Sequence, residues 1–149
     1  MTSGASGHEN DKLVGTWKLI SASSKMSNGE SGTPYGLKPI GFLSYTADGR
    51  VTALISYGER KQLSGSGGTI EEQAEAFQTF LAYAGRYTPS GDKVTHTIEI
   101  SSIQNYVGRD LVRSVQFQGD RIMLITPPTL VNGKVQTVEL VWERLPIGS

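Results

Sequence analysis

Ile40-Gly41-Phe42-Leu43-Ser44-Tyr45-Thr46-Ala47-Asp48-Gly49-Arg50-Val51-Thr52-Ala53-Leu54-Ile55-Ser56-Tyr57 is the stretch whose reading decides the fold. Phe42 to Thr46 and Val51 to Tyr57 are rich in β-branched, aromatic and aliphatic residues. Between them Asp48-Gly49 supplies the positive-φ positions of a tight hairpin turn. A strand that turns straight back on itself pairs antiparallel, so the chain is built from hairpins at this point.

The same texture extends in both directions. Upstream, Leu13 to Ile20 reads as a strand carrying Leu13, Trp17 and Leu19 at odd positions, and the Gly- and Pro-containing Ser27 to Gly36 reads as a loop. Downstream, Val94 to Ser101 alternates, with Val94, His96, Ile98 and Ile100 on one face. Leu111 to Gln118 places Leu111, Arg113, Val115 and Phe117 on one face. Gly119-Asp120 turns the chain into Arg121 to Thr126, and Pro127-Pro128 stops that strand. After the Asn132-Gly133 turn, Lys134 to Leu145 is the last strand, with Val138, Leu140, Trp142 and Arg144 on one face.

One segment breaks the rhythm. Thr69 and Glu72 form a capping-box pair, and Ile70, Ala74, Phe77, Leu81 and Ala84 recur at helical spacing. The pattern predicts a helix from Thr69 that is stopped by Gly85. The Gly-Ser run at Ser64 to Gly68 is a hinge that lets the helix cover one end of the molecule. Arg86 to Thr88 then reads as only a short strand. About eight strands with evenly spaced turns and one inserted helix predict an all-β fold, an eight-stranded antiparallel up-and-down barrel with the helix between strands three and four. Such a barrel has room for one small ligand. Residues 1–11 are small and polar and are expected to be a disordered tail, with the barrel domain at 12–149.

Composition excludes several functions. Fourteen Lys+Arg balance fourteen Asp+Glu, so no electrostatic footprint for nucleic acid exists. There are no cysteines and only two histidines, His8 and His96, which excludes a disulfide framework, a thiolate or multi-histidine metal site and a cysteine nucleophile. No apolar run is long enough for a membrane-spanning helix, and the start has no secretory h-region, so a cytoplasmic location is expected. Neither a Gly-x-Ser-x-Gly elbow nor a phosphate-binding loop is present. A homodimer is left open.

Gly15-Thr16-Trp17 on the first strand resembles the Gly-x-Trp signature of the lipocalin group, and Arg144 is placed like the arginine that there packs across the tryptophan. The chain is more similar to the short bacterial and fungal lipocalin-like domain family. The matching stretches are Leu13–Trp17, Pro39–Tyr45, Tyr83–Tyr87, Asn105–Gly108, Arg113, and Gly119 through Pro128. It departs from secreted lipocalins in lacking a disulfide and in the helix position. The resemblance implies a small hydrophobic ligand; some relatives act in natural-product pathways as cofactor-free cyclases.

His96 and Arg113 are the candidate catalytic residues. An inward imidazole is suited to moving a proton, or else it is a buried ring hydrogen-bonded to a neighbour. An inward Arg113 either holds a ligand oxyanion or pairs with Glu139 or Glu99. If Arg113 lies across neighbouring strands from His96, its charge keeps the imidazole neutral. Phe42, Tyr45, Tyr83, Tyr106, Phe117 and Met123 are candidate ligand-binding residues, each also explicable as core. Trp17 with Arg144 reads as a structural closure, and Glu139 as exterior. These expectations describe a protein that binds a polyketide- or terpenoid-like molecule and cyclises or isomerises it without a cofactor. The alternatives are a carrier with the same cavity and a barrel filled by its own side chains.

Overall fold

The computed structural model describes residues 12–147, so the tail expected at 1–11 lies outside the described residues. The strands are β1 (Gly15–Met26), β2 (Ser31–Gly32), β3 (Ile40–Tyr45), β4 (Arg50–Ser56), β5 (Phe80–Ser90), β6 (Lys93–Ser101), β7 (Asp110–Gln118), β8 (Arg121–Ile125), β9 (Thr129–Val131) and β10 (Lys134–Arg144). The single described helix of more than one turn is α1 (Ile70–Gln78), between β4 and β5. The sheet order is β2-β1-β3-β4-β5-β6-β7-β8-β10-β9, and β1 also pairs with β10. That last pairing closes eight antiparallel strands into a barrel, with β2 and β9 as short appendages. Closure pairs the strands of the ring on both sides over most of their length.

Alternation fills the interior. Trp17, Leu43, Tyr45, Val51, Val94, Ile98, Ile122 and Trp142 are all essentially inaccessible. One end is sealed by Arg144, whose guanidinium lies 4.2 Å from the Trp17 ring centre and donates to the carbonyls of Val14 and Lys12. Trp17 Nε1 donates to Leu13 O at 2.9 Å. Gly15 is required here. Its φ is +137°, and an added Cβ would stand 2.7 Å from Arg144 Nη1.

The helix starts as expected, with both bonds of the Thr69–Glu72 capping box formed. It ends earlier. Leu81 and Ala84 are not on its face, because the chain from Phe80 pairs along β4, with Leu81 opposite Ile55 and Tyr83 opposite Ala53. Leu81, Tyr83 and Tyr87 therefore follow the period of a strand, and a long β5 replaces the short one expected. No residue of α1 is buried, and Phe77 is half exposed. Gly85 is not a helix cap. It sits at a bulge between β5 and β6, where a Cβ would meet Thr97 O at 1.9 Å. The same bulge turns Ile100 outward, away from Val94, His96 and Ile98.

Among the described residues, no helix is long and apolar enough to cross a membrane.

Candidate functional site

Three strands bring together side chains that are far apart in sequence. Tyr45 from β3, Tyr83 from β5 and His96 from β6 all point inward. Tyr45 Oη lies 2.7 Å from His96 Nε2, and Tyr83 Oη lies 2.7 Å from His96 Nδ1. His96 is only 1% exposed. Burial first, and then the Arg113 charge, push its pKa down to about 3, so the ring is neutral near pH 7. Burial likewise pushes the Tyr83 hydroxyl up to about 12 and the Tyr45 hydroxyl well above its ordinary value. Both phenols therefore keep their protons.

Arg113 stands on β7 opposite Val94, two positions along the strand from Leu111, which faces His96. Its side chain is half-buried and donates to Val112 O at 3.1 Å. Neither acid expected as its partner reaches it: Glu99 is held by Arg50 and Arg86 outside the barrel, and Glu139 pairs with Lys25 at 3.4 Å on the outer face. Among the described residues Arg113 has no carboxylate in salt-bridge contact.

The guanidinium borders a cavity of about 420 Å³ at the end opposite Trp17. β8 ends opposite Ser114, so the first residues of β7 are bonded on one side only, and the wall opens there. Tyr35, Tyr106, Leu111, Val138 and Leu140 line the opening together with Arg113. Tyr35 and Tyr106 also border a second space of about 150 Å³ beneath Phe77 of α1.

The other residues expected to line the cavity are placed elsewhere. Phe42 is opposite Lys18 and Leu54, and Met123 is opposite Gln116 and Val141; both stand on the outer face of the sheet. Phe42 has Leu43 beside it, and Met123 has Leu124, so an apolar residue was available to either face. Phe117 has inward parity opposite Ile122, but it is at the sealed end, 46% exposed, with Lys12 Nζ 5.7 Å above its ring. Tyr35 was missed because it lies in the loop between β2 and β3, where no alternation marks direction.

A family model described as a lipocalin-like domain matches residues 14–145. The chain belongs to the lipocalin-like domain family. This lipocalin-like barrel is 38% identical over 88 residues to the 4'-hydroxy-3'-methoxypropiophenone carrier protein ppsC of Aspergillus oryzae, covering 53% of this chain and 79% of that relative. A lipocalin-like protein of Bacteroides uniformis, known from its crystal structure, aligns with a TM-score of 0.47 at 13% identity, over 89% of this chain and 98% of its own.

Proposed function

We propose that the protein binds a small, mainly apolar, oxygen-bearing molecule in the cavity at the open end and holds it without changing it. One observation carries this reading: Arg113, half-buried and with no acid in salt-bridge contact, borders an opening lined by Tyr35, Tyr106, Leu111, Val138 and Leu140 together with polar residues that include Arg109, Asp110 and Gln136. A cation in such a place is favourable when a ligand oxygen satisfies it. A volume of about 420 Å³ is of the size usual for small-molecule sites. The similarity to a carrier named for a phenolic aryl ketone supports the same class of ligand.

A catalytic reading has its own support. His96 with a phenol on each ring nitrogen, within the field of Arg113, is a set of groups able to pass a proton while Arg113 steadies an oxyanion in a cyclisation or isomerisation. Against it, a ring held on both nitrogens with a pKa of about 3 is a weak base.

The test is calorimetric titration with 4'-hydroxy-3'-methoxypropiophenone, followed by mass spectrometry of the recovered ligand. Saturable binding, weakened roughly tenfold in Arg113→Met, with the ligand returned intact, supports holding. A mass-shifted or isomerised product that disappears in His96→Gln establishes catalysis. Absence of binding by the unaltered protein overturns this ligand class.

A further inference from the structure

The space under α1 differs in chemistry from the cavity beside Arg113. Phe77, Phe80, Leu81 and Ile103 line it, and none of them carries a polar side-chain atom. Tyr57 contributes its ring, since its hydroxyl donates to Pro34 O at 2.9 Å. No Lys, Arg, Asp or Glu lines this space. The guanidinium of Arg60 stands 5.4 Å from the Phe80 ring centre, but it donates to Thr79 Oγ1 and Ala76 O. The cavity beside Arg113, in contrast, has Arg109, Asp110 and Gln136 in its wall as well.

Two rings join these environments. Tyr35 and Tyr106 line both spaces, and both are partly buried against the core. A molecule that occupies both runs from a charged end, along two aromatic faces, to a hydrocarbon end. The two walls of the hydrocarbon end differ in how firmly they are held. Leu81 is on β5 opposite the buried Ile55 and is fixed by the sheet. Phe77 is on α1, which buries no residue, and is 51% exposed. An apolar chain seated between them covers surface that otherwise faces water, which is favourable in proportion to the area covered. The space of about 150 Å³ measures about five small groups, taking the ~30 Å³ of a water molecule for each.

We propose that the two spaces are one binding site for an amphipathic ligand, whose oxygen-bearing aromatic head lies at Arg113 and whose unbranched alkyl chain lies under α1, with Phe77 and Leu81 setting the chain length accepted. This rests on the proposed binding function and names the part of the ligand which that reading leaves open. The head alone fills only the charged end. The tail supplies the apolar contact, and the finite room under α1 makes affinity depend on its length.

The experiment is calorimetric titration of the full-length protein with 4'-hydroxy-3'-methoxyphenyl ketones whose acyl chains have two, three, five and nine carbons. Affinity is expected to rise about fourfold per methylene from two to five carbons and to gain nothing further at nine. Phe77→Ala, at a half-exposed position, is expected to flatten the rise to less than about twofold per methylene and to leave the two-carbon ketone within about twofold. Leu81→Phe fills the space from the sheet side, so the five-carbon ketone should bind no better than the three-carbon one. General partition into apolar surface would instead rise steadily to nine carbons and ignore both substitutions. That result, or a flat series on the unaltered protein, overturns this inference and leaves the head site standing. If Leu81→Phe does not fold, Phe77→Ala decides alone. Absence of binding by every ketone overturns the proposed function, and this inference with it.

Discussion

Acidification should destabilise this barrel through His96, by an amount the structure specifies. The ring has its ordinary value of 6.5 when unfolded and about 3 when folded. A lowered folded-state value means that the unfolded chain binds the proton more readily. The stabilisation is present above pH 6.5 and is lost as pH falls toward 3. Between pH 8 and pH 5 the unfolded state gains a factor of roughly 30 from protonating this ring, equivalent to about 2 kcal/mol. Against a typical domain stability of about 5–15 kcal/mol, that is a large fraction. Urea unfolding followed by tryptophan fluorescence at pH 8, 6.5 and 5 measures it. Glu30, Glu72 and Glu99 also have lowered values, but they remain ionised through most of this range and are common to the control. The control is His96→Gln, which removes the titrating ring and leaves His8 in place. Its stability should vary between pH 8 and 5 by about 2 kcal/mol less than that of the unaltered protein. Equal pH dependence of the two proteins would refute the picture of a neutral imidazole enclosed by two phenols.

Gly15→Ala should lower stability by about 2 kcal/mol or more, read as a fall in Tm, because it strains a positive φ and displaces Arg144. Arg144→Met should cost about 2–3 kcal/mol in urea unfolding and shift Trp17 emission, since it removes the ring contact and both carbonyl bonds at the sealed end. Gly85→Ala should be more severe than either, as its Cβ would overlap a backbone oxygen of β6; circular dichroism melting checks this. Phe42→Ser should leave ketone affinity within about twofold in calorimetry, because the side chain is on the outer face, whereas Leu111→Ser should weaken it.

The barrel was readable because its signals are local. Asp48-Gly49 specifies one hairpin, and the alternation from Val94 to Ile98 specifies which residues share a face. The start of α1 was equally local, since Thr69 and Glu72 are three residues apart. Its end was not: Phe77, Leu81 and Ala84 fit a helix while Leu81, Tyr83 and Tyr87 fit a strand, and the choice fell to the unpaired edge of β4. The bulge at Gly85 inserts one residue and inverts the face of Ile100, which no period shows in advance. Phe42-Leu43 and Met123-Leu124 offer apolar side chains in both directions, so only register decides which one is inside. His96 was identifiable as an odd residue on an apolar face. Its two phenol partners were not, because 51 and 13 residues separate them from it and their meeting depends on closure of the ring.

That ring is joined by the first and last of its strands, β1 and β10, and Arg144 reaches back to Val14 across 130 residues. During synthesis the unpaired side of β1 must wait until nearly the whole domain has left the ribosome. The nascent barrel therefore spends its longest partly folded interval with Trp17 uncovered and two hydrogen-bonding edges exposed, the condition in which strands recruit the wrong partner. Yield in cells should depend on how quickly that final strand arrives, and truncations that stop short of Trp142 should accumulate as aggregates.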